Sequence, residues 1–306
     1  MSTAAPRRVV YTALMGRYEQ LNEQPIAAET NIEFICFTDD PELRSDSWTI
    51  RLVEPRFPLD MIRSARYFKT RGPALLAEYD ETLWIDNAVR LRVTPESLLD
   101  SWLATADLGL PLHSFRGNVI SEFDAVATEG YDDPARVYEQ LINYSTLRPD
   151  TLQEMPYWTA LLARRQTAEV DATMQLWWDH LLRYSRRDQL SINFVIGTTG
   201  LAVNGIPIDN MTSEWHEWPI RVARKWNLAQ DRMAGALRVP AAEIGRLSNS
   251  LAKAEARAEE LEREYEQARV STEQAMQASR SYLASNSWKI TAPLRALSRL
   301  RLKLRR

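Results

Sequence analysis

Short apolar runs ended by polar or proline stops dominate the first part of the chain. Residues 9–14 (VVYTAL) close at Gly16, 33–38 (EFICFT) stop at Asp39-Asp40-Pro41, and 48–53 (WTIRLV) stop before Pro55. A fourth run, 82–85 (TLWI), ends at Asp86, and 108–112 offers a fifth. Runs of this length, rich in β-branched and aromatic residues and bounded by turn formers, predict strands. Between them the spacing turns helical. Ala65, Phe68, Leu75, Leu76 and Tyr79 share a face over 63–79, where Pro73 must kink or restart the helix. Residues 95–104 predict a helix with Thr94 as N-cap and Pro95 in its first position, and further helices fall near 134–144 and 172–184. Strands alternating with helices predict an α/β domain with a mainly parallel sheet over residues 1–235.

Beyond that body the period changes. Ile244, Leu247, Leu251, Ala254, Ala258, Leu261, Tyr265, Ala268, Thr272, Ala275, Ser279 and Tyr282 alternate by three and four residues, with Glu and Arg between them. This heptad seam predicts a coiled coil over 240–285, one whose many small seam residues give modest pairing. The alternative is a single solvated helix. In 286–306 Leu294, Leu297, Leu300 and Leu304 share one helical face, Arg and Lys crowd the rest, and Trp288 and Ile290 precede them. A basic amphipathic helix of this kind suits an anionic membrane surface; a solubilising tail is the alternative.

Charge sharpens that division. The net charge of −3 over 306 residues is the difference between a body at −10 and a segment, 289–306, that carries +7 and no acid. Such a chain is no general nucleic-acid binder; it is an acidic domain with a basic handle for an anionic surface. A single cysteine, Cys36, allows no disulfide within the chain. The start, MSTAAPRR, lacks a signal-peptide apolar run, and no stretch approaches the ~18 apolar residues of a spanning helix. The chain is therefore expected to be cytoplasmic.

No glycine-rich nucleotide loop, GxSxG elbow, CxxC or HExxH occurs, which argues against dinucleotide, P-loop, serine-hydrolase and common zinc chemistry. What remains sits at strand and helix ends. Asp86 follows a strand that reads as buried, where ligands of open α/β sheets bind and where a carboxylate can hold a divalent ion; a polar strand cap is the alternative. The block YSRRDQLSIN, residues 184–193, joins two arginines to an Asp-Gln pair, a mix suited to sugar hydroxyls, although Asp188 could instead cap a helix. Among the tryptophans, Trp84, Trp102 and Trp177 fall at core phases, and Trp158, Trp215 and Trp218 are candidates for a sugar-binding cleft. His180, on the helix of Trp177 and Trp178, reads as structural.

YTALMGRYEQL, FICFTDD, SARYFKTRGPALL, LWIDNAVRL and MQLWWDHLLRYSRRDQLSINFV occur in the order seen in a glycosyltransferase-like family of plant mucilage and pectin and bacterial cell-surface polysaccharide proteins, similar to GT-A nucleotide-sugar transferases. The resemblance covers roughly 8–200. The ending SNSWKITAPLR resembles the close of bacterial polysaccharide glycosyltransferases, where it follows a coiled coil. The resemblance implies a GT-A-like fold, transfer from a nucleotide sugar (UDP-linked) to a glycan acceptor, and roles residue by residue. Tyr11, Thr12 and Asp39 would lie at the nucleotide, Arg66 and Lys69 at the diphosphate, and Asn87 at a sugar or ribose hydroxyl. Asp188 and Gln189 would hold the transferred sugar or the acceptor and form the catalytic set with Arg187, and His113, Arg116, Glu122 and Asn193 would lie at the acceptor. Asp86 would begin a DxD-type site for Mn²⁺ or Mg²⁺, with His216 as a late ligand. The third position of that motif is Ala88, which cannot ligate a metal. The spacing of Asp188, Gln189 and Asn193 is similar to the DQ-x-x-x-N segment of glycogenin-like enzymes and leans towards retention of the anomeric configuration. The expected enzyme works as an oligomer, peripheral on the inner membrane face. The rival is a non-catalytic sugar- or nucleotide-binding scaffold; a hydrolase would need two opposed carboxylates, and no such pair stands out.

Overall fold

The computed structural model describes residues 5–17, 19–219 and 240–303. The chain divides into two units, Met1–Glu243 and Ile244–Arg306. The expected domain limit at 235 lies outside the described residues.

The first unit is built on one sheet of seven strands in the order β3-β2-β1-β4-β7-β6-β8. These are β1 (Arg8–Leu14), β2 (Glu33–Thr38), β3 (Thr49–Leu52), β4 (Glu81–Ile85), β6 (Leu108–Pro111), β7 (Leu161–Arg165) and β8 (Asn204–Ile206). β5 (Arg90–Leu91) and β9 (His216–Glu217) form a separate antiparallel pair. β1 pairs in parallel with both β2 and β4, and β2 with β3. β7 runs antiparallel to both β4 and β6, which makes β6 parallel to β4. The sheet is thus mixed but mainly parallel. The carboxyl ends of β1, β2, β4 and β6 share one edge, where open sheets of this type bind ligands.

Alternation sends side chains to two cores. Val9, Tyr11, Ile35, Phe37, Trp84 and Leu162 meet α1 (Met61–Arg71), α5 (Ala168–Arg183) and α6 (Gln189–Thr199) on one face. Val10, Cys36, Leu83, Ile85, Leu161 and Ala163 meet α2 (Pro95–Trp102) on the other. Each face removes several large side chains from water at roughly 25 cal/mol per Å². A third cluster, with Phe123, Val137, Tyr144 and Phe194, joins α3 (Val119–Thr128) and α4 (Pro134–Leu147) to α6. Pro73 acts as expected: α1 ends at Arg71 and a 3₁₀ turn, Gly72–Leu76, takes over. Thr94 holds the N-cap position of α2, but its side chain makes no capping bond.

In the second unit α7 (Pro240–Ala284) is one unbroken helix of 45 residues. Its seam side chains Leu247, Leu251, Leu261 and Tyr265 are exposed in the single chain. Ser285 caps a short α8 (Asn286–Ile290), and α9 (Ala292–Lys303) follows. The Arg295 guanidinium lies 3.5 Å from the Trp288 ring centre and donates to Thr291 Oγ1 at 2.5 Å, while Tyr282 packs 4.7 Å from the same indole. The SNSWKITAPLR ending therefore folds as a knuckle around Trp288 rather than as one continuous helix. Leu304, Arg305 and Arg306 of the expected amphipathic face lie outside the described residues. No helix among the described residues is long and apolar enough to cross a membrane.

Candidate active site

At the carboxyl edge of the sheet, four charged side chains from three elements converge. α1 presents Arg66 and Lys69 one turn apart, both reaching Asp86 after β4 and Asp188 at the start of α6. Lys69 is fully buried, with its ammonium 5.6 Å from the Trp84 ring and 5.9 Å from that of Trp177. It donates a hydrogen bond to Asp188 Oδ2 and lies 3.5 Å from Asp86 Oδ1. Arg66 Nε stands 3.3 Å from Asp188 Oδ2, and its Nη1 3.9 Å from Asp86 Oδ1. Asp188 is buried, yet its side chain makes no capping bond to α6, so helix capping does not explain it. Burial alone would push its carboxyl up. Arg66 and Lys69, joined by Arg187, outweigh that and hold it well below the usual carboxylate range.

The RRD triplet divides its work. Arg186 pairs with Asp132 at 3.3 Å and reaches Asp60 at 3.7 Å, lining a cavity of about 530 Å³ with Arg63 and Phe57. Arg187 stacks 5.1 Å over Tyr131. Asp188 turns inward. Asp132 shapes this turn by accepting from Ser185 Oγ at 2.6 Å and from the Arg186 N–H at 2.8 Å. Gln189 is half-buried at the first position of α6.

Several expected donor residues serve the scaffold instead. Tyr11 and Thr12 are fully buried within β1, two residues or more short of its carboxyl end. The Tyr11 hydroxyl donates to the Lys69 carbonyl at 3.0 Å, so Tyr11 supports the cluster from below. Asp39 accepts from the Gly16 N–H at 2.8 Å. That bond closes a turn in which Gly16 has φ +79°, a left-handed backbone that glycine adopts without strain. Asn87 ties down the loop after it, accepting from Asn22 N at 2.9 Å and donating to the Gln20 carbonyl at 2.9 Å.

A second group stands at the end of β6. Arg116 Nε donates to Glu122 Oε2 at 3.1 Å, and His113 Nε2 lies 3.9 Å from the same oxygen. Burial drives the Glu122 carboxyl up, partly offset by Arg116 and Arg187; burial, with Arg116 beside it, drives His113 down to about 4. Asn193 is buried. Its amide accepts from Tyr157 N and donates to Glu154 and to the Met155 carbonyl, pinning segment 154–157.

Both expected metal ligands have partners within the chain. Asp86 Oδ1 accepts the Trp84 indole N–H at 2.7 Å and faces Lys69, and Ala88 brings no ligand. His216 is fully buried with both nitrogens engaged, by Ser213 Oγ at 2.8 Å and by the Asn210 carbonyl at 3.0 Å. Among the described residues no group of three His, Cys, Asp or Glu could hold an ion. Trp158 is buried in the second core, 5.1 Å from the His216 ring, and Trp215 and Trp218 are partly buried against it.

One participant was invisible in the sequence. Arg164, on β7, is buried and donates to the Lys69 carbonyl at 2.6 Å and to Thr82 Oγ1 at 3.2 Å. It caps the carboxyl end of α1, whose dipole favours a cation there, and so fixes the backbone that carries Lys69. Burial lowers its guanidinium to about 9. The run LLARR reads equally as helix or strand, which hid both β7 and this role.

No curated protein sequence matches the chain. Among solved structures, the apo WbbM bifunctional glycosyltransferase is 11% identical over 69% of this chain and 40% of its own, with a TM-score of 0.38. The chain thus spans well under half of that protein. Core-mannan synthase A (CmsA/Ktr4) of Aspergillus fumigatus, in its Mn/GDP form, is 10% identical over 64% of this chain and 71% of its own, with a TM-score of 0.36. The TOD1/MUCI70 glycosyltransferase-like domain matches residues 44–204, just over half of the chain and the stretch that carries Arg66, Lys69, Asp86 and Asp188. The chain belongs to the TOD1/MUCI70 glycosyltransferase-like family.

Proposed function

We propose that the protein transfers a sugar from a nucleotide-sugar donor, UDP-linked, to a cell-surface polysaccharide or lipid-linked glycan. The observation that carries this reading is the Arg66–Lys69–Asp86–Asp188 cluster at the carboxyl edge of the sheet in a glycosyltransferase-like domain. Departure of a nucleoside diphosphate builds negative charge, and fixed cations in a water-poor site stabilise it with little reorganisation. Arg66 is the partly exposed cation of the pair. Lys69 adds its charge from beneath, held in place by Asp188. Asp86, 30% exposed by its side chain, faces the donor sugar or ribose hydroxyls. His113, Arg116 and Glu122 serve the acceptor. With Lys69 3.5 Å from Asp86 and Ala88 bringing no ligand, the chain's own cations are assigned the diphosphate. A nucleotide-sugar turnover screen tests the reading, with UDP binding measured in EDTA and in Mn²⁺. Turnover of a UDP-sugar is expected, with equal UDP affinity in both buffers and a loss of 10-fold or more in Arg66→Ala. Absence of turnover with every donor favours the scaffold, and a Mn²⁺-dependent affinity returns Asp86 to metal binding.

The second unit supports attachment and pairing on the inner membrane face. The exposed α7 seam suits a second copy of itself, and Ile290, Leu294 and Leu297 are exposed beside the basic positions of α9. Each Lys or Arg near an anionic leaflet contributes about 1 kcal/mol, and pairing doubles the number of tails. Full-length protein is expected to co-sediment with anionic but not neutral vesicles at low salt, and a chain ending at Ala284 with neither. Equal sedimentation of the two chains on anionic vesicles removes the membrane role.

A further inference from the structure

The chain's three histidines provide an internal comparison. His216 engages both ring nitrogens, and His180 Nδ1 meets the Tyr144 hydroxyl at 2.6 Å. His113 differs. It is 3% exposed, its Nε2 faces Glu122, and its Nδ1 is buried with no hydrogen-bond partner. Buried polar atoms are nearly always satisfied, so an orphan among otherwise satisfied histidines points to a partner that arrives from outside the chain.

The surroundings say what that partner is. His113 lines a cavity of about 410 Å³ with Leu112, Phe115, Arg116, Met155 and Ile208. The lining is mostly apolar with one cation and one imidazole, which suits the C–H face and a few hydroxyls of a neutral sugar. The cavity opens at the end of β6, the same sheet edge as Asp86, and Glu122 is close enough to the charge cluster to feel both Arg187 and Asp188. The carboxylate beside Nε2 favours the proton on that nitrogen and leaves the lone pair on Nδ1. Arg116 holds the carboxylate in place, and the His113 backbone N–H is fixed on the Pro156 carbonyl at 2.8 Å.

We propose that His113 Nδ1 is the general base that takes the proton of the attacking acceptor hydroxyl, in a single displacement that inverts the anomeric centre. The proposal rests on the glycosyltransferase reading above. The acceptor O–H proton moves to Nδ1, and the freed oxygen pair forms the bond to the anomeric carbon. The bond from that carbon to the diphosphate oxygen breaks, and its electron pair leaves on the nucleoside diphosphate beside Arg66. Glu122 and Arg116 are positioning residues. Retention, which the DQ-x-x-x-N spacing suggests, is the competing outcome.

Azide separates the base from the fold, because it attacks without losing a proton. With full-length protein and the donor found in the turnover screen, His113→Gln is expected to lose at least 100-fold in transfer to sugar hydroxyls and to stay within about threefold of wild type with azide. Glu122→Gln is expected to show a smaller hydroxyl-specific loss. NMR of the wild-type product reads the anomeric configuration without any variant, and inversion is expected. Retention in that product, or a His113→Gln protein that loses azide and hydroxyl transfer together, overturns the base while leaving glycosyl transfer intact. A His113→Gln protein that keeps hydroxyl transfer does the same. A wild-type protein that turns over no nucleotide sugar overturns both.

Discussion

Asp188→Ala is expected to destabilise the body by about 3 kcal/mol and to abolish transfer. Removing one partner of a buried ion pair typically costs about 3–5 kcal/mol, because the other charge stays behind without compensation. Here the stranded group is the fully buried Lys69, which keeps Asp86 at 3.5 Å and so sets the loss at the lower end. In a unit of this size that is a fall of roughly 6–12 °C in melting temperature. Asp188→Asn keeps the shape and loses the charge, so it should follow Asp188→Ala closely in activity. The double variant Asp188→Leu with Lys69→Met removes both charges and is expected to recover most of the stability and none of the activity, a non-additivity that isolates the pair. The acid behaviour has a fixed sign. A carboxyl whose folded pKa is depressed stabilises above the unfolded value of about 4 and loses that contribution as pH falls toward the folded value. Wild type and Asp188→Ala should therefore converge in stability in strong acid and separate above about pH 4. A melting temperature within 2 °C of wild type at pH 7 would mean that Lys69 has found another partner.

Trp177→Ala is expected to cost about 3–5 kcal/mol, the usual range for emptying a buried aromatic site. Trp177 is fully buried between α5, α6 and the sheet, and its indole N–H donates to the Asp188 carbonyl and to Ser191 Oγ, both at 3.1 Å. It thus fills the core under Lys69 and fixes the backbone of Asp188 at once. Trp177→Phe separates the two roles. It keeps most of the volume and deletes the donor, and should cost only about 1 kcal/mol in stability. It should nonetheless lower turnover by 10-fold or more if the position of Asp188 matters to transfer. Denaturant melts of both variants, with turnover on the same donor, check this. Equal turnover in Trp177→Phe and wild type would reduce the indole to packing.

The sequence determined the order and type of the elements wherever local signals agreed. The runs at 9–14, 33–38 and 82–85 are strands because apolar and β-branched residues bounded by turn formers have little else to become. The change of period after residue 240 likewise announces the long helix of α7. The candidate cluster was legible as residue types: Asp86 and Asp188 stood out at strand and helix ends, and the family resemblance pointed to Arg66 and Lys69. Tertiary structure decided what those charges do. It sank Lys69 between Trp84 and Trp177, turned Asp188 inward instead of onto its own helix end, and spent Asn87, Asn193 and His216 on the backbone. It also put Tyr11 and Thr12 inside β1, because only the register of β1 against β2 and β4 says where the ligand edge falls. β7 and Arg164 were beyond the sequence for the same reason. Five residues of Leu, Ala and Arg carry no decisive local preference. Their strand state and the capping of α1 follow from pairings with β4 and β6 that lie about 80 and 55 residues away in the chain.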